Sequence, residues 1–427
     1  MKEVLIVGSG ARDHALAWKA RQNPSVGQIY CAPGNPGMAE LADCIPIQAN
    51  EVDRLANFAQ EQKIDLTIVG PENPLKEGIV DVFEKRDLAI FGPSQSAAQI
   101  ETSKVFAKEL MKRHNISTAD FKVFHISEIK KAHEYVEQHG APIVVKPDGL
   151  AAGKGSIVAE SPETAKQAIN NILVKKIFPE AGESVVVEDF LEGDEISITA
   201  IANGRTFVPF LLSQDHKRAY DGDKGPNTGG MGVYAPLPWV TPEFERELFQ
   251  VVTQSTLDAL AEEGFNFKGV LYSNVMATPK GPMVLEHNAR FGDPEAQALF
   301  PLLENDLVEV VCLALYGKLK DVILKWSGKF TVCLTLAAPG YPEKPVTGKI
   351  IEGIEDVKKM PDVLIFHAGT KLEDGKLVTA GGRVLSIVVV DESLENAVKK
   401  VYDAAGKLNF EGGILYRQEI AKRALTC

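Results

Sequence analysis

The stretch Val4-Leu5-Ile6-Val7-Gly8-Ser9-Gly10-Ala11-Arg12-Asp13 decides the architecture of the first hundred residues. Four consecutive aliphatic residues leave no polar side for solvent, which marks a strand covered on both faces, as in a parallel sheet. The glycines break the strand, and the pattern through Arg21 starts a helix. Aliphatic runs at 66–69 and 88–91, each closed by a glycine and followed by an amphipathic stretch (77–86 and 94–101), repeat the unit. Strand–helix alternation of this kind predicts a Rossmann-like parallel sheet with its ligand loops at the strand C-termini. The first turn offers backbone N–H groups at a helix start, so Gly10, Arg12 and Asp13 are candidates for holding a phosphate monoester; a purely structural turn accounts for them comparably well. Asp13 occupies the place where a dinucleotide fingerprint needs a small residue, which disfavours a nicotinamide enzyme. The parallel-sheet domain is expected to span 1–102.

Beyond it, periodicity shifts to helices mixed with antiparallel-type strands over 103–327, with a lid subdomain at about 119–190, and a smaller α/β domain follows over 328–427. The turn 148–155 holds three glycines and Lys154. Small residues allow close backbone approach to an anion, although the spacing is not that of a P-loop and a flexible hairpin with a solvated lysine fits as well. Residues 216–232 carry five glycines and clustered charges with almost nothing to bury, predicting a long polar loop. Glu286 and Asn288, at i and i+2 of a strand, share a face and offer two hard oxygen donors of the kind that suits Mg²⁺, with His287 turned to the other side. Taken alone, the pair reads first as a strand end with two capped polar groups. Arg290 follows, suited to fork onto a carboxylate or phosphate, or to pair internally with Asp293 or Glu295.

Charge sets the surroundings. With 46 basic and 58 acidic residues the net charge is −12, which repels nucleic acid and anionic membranes. No apolar run approaches the ~18 residues needed to span a bilayer, so a cytoplasmic chain is expected. The five cysteines are scattered with no C-x-x-C pair, so neither a disulfide framework nor a zinc cluster is expected.

In order along the chain, GSGARDHALAWK (from residue 8), APGNPG (32–37), IVGPENPL (68–75), KPDGLAAGKG (146–155), SQDHKRAYDGDKGPNTGGMG (213–232), LEHNARFGDPEAQ (285–297), FHAGTK (366–371) and GGRV (381–384) resemble the phosphoribosylamine–glycine ligase, or glycinamide ribonucleotide synthetase, family of the ATP-grasp superfamily. The resemblance runs from end to end and implies a central ATP-grasp domain with a mobile lid. It implies ATP bound by Lys104 and Lys146, with Lys154 on the lid, adenine-side contacts from Glu188 and Leu191, and ribose contacts from Glu195. Glu286 and Asn288 match the ligands of Mg²⁺ or Mn²⁺. It further implies that glycine is activated as glycyl phosphate and captured by 5-phosphoribosylamine. Arg290 would orient the glycine carboxylate, Asp215 and the Gly229-Gly230 backbone would line the acceptor pocket, and the turn with Gly10, Arg12 and Asp13 would hold the ribose phosphate. A monomer or weak dimer is expected.

Three positions depart from the family pattern: Asp13 stands for Glu, Ser273-Asn274 for an Ala-Gly pair, and His287 for Phe. Asn274 is therefore a candidate extra metal ligand, although a solvent-facing or internally bonded amide is the commoner case. Two other readings compete: another ATP-grasp carboxylate–amine ligase, against which the 213–232 loop speaks, and a non-catalytic nucleotide-binding regulator, which would not need so complete a phosphoryl-transfer set.

Overall fold

In the computed structural model, which describes residues 1–426 apart from 152, 154, 179 and 180, the opening run lies at the middle of a parallel sheet. Lys2–Gly8 pairs with Val26–Pro33 on one side and Leu66–Val69 on the other, and Asp43–Cys44 and Ile90–Phe91 form the edges. Val4 to Val7 are fully buried, as a two-faced strand requires. Within the amphipathic stretch 77–86 the helix is Ile79–Glu84, and Gly78 in the left-handed region (φ 76°) separates it from a short helix Glu72–Lys76. Of the stretch 94–101 only Gln99–Thr102 is helical.

The central part holds two antiparallel sheets. One orders Thr206–Pro209, Asp194–Asn203, Lys268–Thr278 and Gly281–Asn288. The other is smaller and orders Phe121–His125, Ser184–Asp189, Ile143–Pro147 and Ile157–Ala159. On the small sheet, Ile143, Val145, Val185 and Val187 pack under helices Ile129–His139 and Pro162–Leu173 in a core of their own. The intervening residues Val144, Lys146, Val186 and Glu188 face the other way into a cavity. Period-2 alternation thus gives this sheet one structural face and one ligand face.

Two expectations need correction. The segment 216–232 is not an open polar loop: Arg218–Tyr220 and Lys224–Asn227 form a hairpin. Arg417, 2% exposed, holds its tip by reaching Asp223 Oδ1 (2.7 Å) and approaching Asp221, with Glu419 Oε1 at 2.6 Å from its other Nη. Charges that look soluble in sequence are here consumed by a buried guanidinium contributed from about two hundred residues away. Nor is the last domain's sheet its own. Gln214–Asp215 and Gly232–Ala235 extend the sheet of Phe330–Ala337, Arg383–Asp391 and Val363–His367, and the main hydrophobic core joins Leu5, Ile198 and Leu385. A cut at 327 would divide that sheet. Among the described residues, no helix is long and apolar enough to cross a membrane.

Candidate functional site

All the ligand faces converge on one cavity of about 860 Å³ between the two antiparallel sheets. Helix Lys104–Arg113 is capped by Ser103, whose Oγ accepts from Phe106 N and donates to Asp148 Oδ1. Its face at 104, 107, 108 and 111 lines the cavity, the spacing that puts side chains one above another on a helix. Lys104 Nζ donates to Gly149 O at 3.0 Å. From the small sheet comes Lys146, which donates to Leu285 O at 3.1 Å. That carbonyl is presented by a β-bulge: the register steps from Asn274↔Glu286 to Val275↔Val284, leaving Leu285 unmatched.

Glu188 is 2% exposed and ion-paired with both Lys146 and Lys108. Burial penalises its charge, but the two ammonium groups outweigh that and lower its pKa. The Glu188 carboxylate, expected on the adenine side, lines the cavity and is engaged there by two lysines. Leu191 does line the cavity. Glu195 pairs with Lys217, a residue the sequence reading overlooked. Lys217 also lies 4.0 Å from Glu286 Oε1, and although burial opposes its charge, Glu195 and Glu286 raise its pKa. Lys154 lies outside the described residues.

Glu286 and Asn288 both line the cavity from strand Gly281–Asn288, as their i, i+2 spacing requires. Burial raises the Glu286 pKa, but Lys217, Lys146 and Lys104 bring it down to about 2, so the carboxylate is ionised. An ionised carboxylate beside an amide oxygen is a hard donor set that fits a small divalent cation. Among the described residues no three His, Cys, Asp or Glu side chains form a metal-holding group, so the remaining ligands of such a cation would be phosphate oxygens and water. Asn274 is internally bonded, its amide oxygen accepting from Tyr272 at 2.6 Å. His287 turns away from the cavity-side pair, its Nδ1 meeting Ser273 Oγ at 2.8 Å, so two of the three departures from the family pattern satisfy each other. Burial lowers the His287 pKa to about 3 and keeps the ring neutral.

The opposite end of the cavity is assembled from distant segments. Arg290 pairs with neither Asp293 nor Glu295. Its Nε faces Glu72 Oε2 at 3.3 Å, and its Nη2 faces Glu101 Oε1 at 3.0 Å and Asn288 Oδ1 at 3.1 Å. Burial disfavours the charged guanidinium, and Glu101 and Glu72 more than offset it. Arg12 donates to Phe291 O at 3.2 Å and lines the cavity. At the helix start expected to take a phosphate, Asp13 Oδ2 accepts from Gly10 N at 2.8 Å. Gly70 makes room for that carboxylate, for a Cβ there would stand 1.9 Å from Asp13 Oδ1. Gly10 and Asp13 therefore shape the turn from beneath and do not form the cavity wall.

Asp215 and Gly229 do belong to the wall. Burial, then Glu295, pushes the Asp215 carboxyl well above its usual range. The glycine backbone is held in place by hydrogen bonds: Gly229 N donates to Tyr341 Oη (3.1 Å), Gly229 O accepts from Arg383 (2.6 Å), and Gly230 N donates to Thr228 Oγ1 (3.0 Å). Arg383 Nη2 also reaches Asp293 Oδ2 at 3.0 Å. The last domain thus enters the site through Arg383, which lies in the GGRV string at 381–384; Lys108, one turn from Lys104, is an overlooked residue with a readable signal. The lid loop meets this end, as a Cβ on Gly153 would lie 2.9 Å from Gly229 Cα, and Asn227 Nδ2 donates to Ser156 O at 3.0 Å.

Comparison with known proteins fits this geometry. Residues 2–101, 102–296 and 331–423 match the N domain, the ATP-grasp (A) domain and the C domain of phosphoribosylglycinamide synthetase. The phosphoribosylamine–glycine ligase of Caldanaerobacter subterraneus subsp. tengcongensis is 44% identical over 419 residues, covering 98% of this chain and 99% of that protein. That of Pseudomonas aeruginosa is 45% identical over 426 residues, covering 99% and 98%. The crystal structure of the Thermotoga maritima phosphoribosylamine–glycine ligase superposes with a TM-score of 0.83 at 33% identity, covering 98% of this chain and all of that one. The biotin carboxylase domain of Hydrogenobacter thermophilus 2-oxoglutarate carboxylase, covering 96% of this chain and 90% of that one with a TM-score of 0.74, shares the fold at 16% identity. With all three domains matched in order along nearly its whole length, the chain belongs to the phosphoribosylglycinamide synthetase family of ATP-grasp proteins.

Proposed function

We propose that this chain ligates glycine to 5-phosphoribosylamine, a step of purine biosynthesis, with ATP converted to ADP and phosphate and glycinamide ribonucleotide as product. The observation that carries the reading is the single enclosure in which lysines 104, 146 and 217 face Arg290, Asp215 and Arg383. Ligation through an acyl phosphate requires the phosphoryl donor and the amine to share one space from which water is excluded, since the intermediate would otherwise hydrolyse.

Lys104 and Lys146 neutralise the α- and β-phosphates, Leu191 packs beside adenine, and Glu195 accepts from the ribose hydroxyls. Glu286 and Asn288 would hold Mg²⁺ or Mn²⁺, which when bound neutralises charge on the transferring phosphoryl group. Arg290, preset by Glu72 and Glu101, receives the glycine carboxylate and turns one of its oxygens toward the γ-phosphorus. The oxygen–phosphorus bond forms as the bond to ADP breaks. The amine then attacks the glycyl carbonyl, phosphate leaves, and the nitrogen loses a proton on the Asp215 side. No covalent bond to the protein is needed; orientation and charge placement supply the catalysis. The contact of the lid loop with 227–229 closes the chamber around these steps.

The test is ADP release with each component omitted in turn, phosphoribosylamine being generated in place from ribose 5-phosphate and ammonia. Turnover is expected only with glycine, amine, ATP and divalent metal together, with glycinamide ribonucleotide seen by mass. Turnover that persists without glycine, or with another amine preferred, would overturn the assignment.

A further inference from the structure

Behind Glu286 lies a buried polar cluster that none of the roles above uses. Asn274, 1% exposed, stands opposite Glu286 in the register of the two long strands. Its Nδ2 donates to Glu286 Oε1 at 3.2 Å, and its Oδ1 accepts from the Tyr272 hydroxyl at 2.6 Å and faces Ser197 Oγ at 3.4 Å. The Tyr272 and Ser197 hydroxyls also lie 2.6 and 3.1 Å from Glu295 Oε1, so the single hydrogen of each is shared between the Asn274 amide oxygen and that carboxylate. An amide has one donating and one accepting end, and only one orientation matches these neighbours. Reversing it would set two oxygens against each other at Glu286. The other partner near Glu286 Oε1 is Lys217, at 4.0 Å and already tied to Glu195.

We infer that Asn274 is a positioning residue: locked by Tyr272 and Ser197, it pins Oε1 of Glu286, aims that carboxylate at the divalent cation, and keeps it from swinging into an ion pair with Lys217. This rests on the metal role proposed for Glu286. Loss of an outer partner of a metal-binding carboxylate typically weakens metal affinity by about 10- to 100-fold. Here the lysine, freed of its competitor, draws the carboxylate away.

The experiment measures Mn²⁺ binding by electron paramagnetic resonance on the full chain with a non-hydrolysable ATP analogue, beside binding of the analogue without metal. For Asn274→Ala the Mn²⁺ Kd is expected to rise about tenfold, while the metal-free Kd of the analogue stays within about twofold of the unsubstituted chain. Tyr272→Phe, which unlocks the amide but leaves it in place, should give a smaller rise in the same direction, and Glu286→Gln a larger one. Asn274→Ser provides the same reading if the alanine variant does not fold by circular dichroism. An unchanged Mn²⁺ Kd in the folded Asn274 variant, with Glu286→Gln impaired, overturns the inference and spares the metal site. An unchanged Kd in Glu286→Gln overturns the metal reading and the inference with it. Loss of stability at constant Mn²⁺ affinity would reduce Asn274 to a structural residue.

Discussion

The two ends of the cavity are built in different ways. At the nucleotide end, Lys146 and Glu188 are placed by the pairing of adjacent strands in a small sheet with its own core under two helices. At the acceptor end, Arg290 is held by Glu72 and Glu101, and Gly229 by Tyr341 and Arg383, so well-separated stretches of chain meet on one wall. A unit with its own core can move as a body around its ligand, whereas a wall tied to several segments keeps a fixed shape. The nucleotide end is suited to closing and the acceptor end to selecting.

The largest effect that tests this division is expected at the nucleotide end. Lys146→Met removes one of the two cations on Glu188 and a charge from the phosphate side, and should lower kcat/KM by about 10³-fold, with ATP binding weakened. Steady-state kinetics with varied ATP and varied glycine separates the two ends: if the loss appeared only in the KM for glycine, the division would fail. Next in size, Arg290→Lys keeps the charge but loses the fork that spans Glu72, Glu101 and a bound carboxylate. The KM for glycine should rise roughly 10- to 100-fold, about 1.4 to 2.8 kcal/mol, while the KM for ATP stays within a factor of about two. An unchanged glycine KM would remove Arg290 from that role.

What was legible in the sequence follows the same line. The strands Leu66–Val69 and Phe330–Ala337 are read to the residue because runs of apolar residues and threonine without a charge or a glycine are unambiguous, and the pair Glu286 and Asn288 falls out of period-2 spacing. Val26–Pro33 escapes because glycine and glutamine interrupt its pattern, and the helix Val52–Glu61 because only Val52, Leu55, Ala56 and Ala59 mark its buried face. The acceptor end escapes more thoroughly. Nothing near Arg383 announces Asp293, and nothing near Arg417 announces Asp223, since the partners of a charged side chain are a tertiary fact. Glu188 shows the converse: the motif marks it, yet its ion pairs with Lys146 and Lys108 are visible only in the fold.

Stability should divide along the same boundary. Val145→Ala opens a hole in the small core, at a cost of about 1–3 kcal/mol. Because that core is separate, hydrogen exchange should speed up mainly across the strands between 121 and 189. Arg417→Met instead leaves Glu419 and the hairpin carboxylates without their cation, and should loosen 216–227 at about 1–2 kcal/mol, less than a fully buried pair would cost because Asp221 and Asp223 are exposed. Faster exchange spread evenly over the chain in the Val145 variant would argue against an independent lid.

The smallest effect per residue is set by protons. His14, His287 and His367 are buried and His216 half-buried outside the small sheet, and desolvation, with nearby cationic groups adding to it at His14 (Lys358), His216 (Arg417), His287 (Lys108) and His367 (Lys358), lowers their pKa values to about 3, 4, 3 and 4 in the order His14, His216, His287 and His367. The unfolded chain takes up these protons near pH 6.5 and the folded chain does not, so below that pH the unfolded state binds more protons and stability falls, until the folded rings protonate near pH 4 to 3. Each ring should remove about 1 kcal/mol by pH 5.5. The raised Asp215 carboxyl works in the opposite sense, gaining as pH falls, and offsets part of the loss. Denaturant midpoints at pH 7.5 and 5.5 measure the sum, and His14→Asn isolates one member. His14 is the informative choice because its Nδ1 accepts from His367 N at 2.9 Å and so joins the first strand–helix unit to the last domain. If His14→Asn left the pH dependence of the midpoint as steep as before, the acid sensitivity would have to arise elsewhere than at this seam.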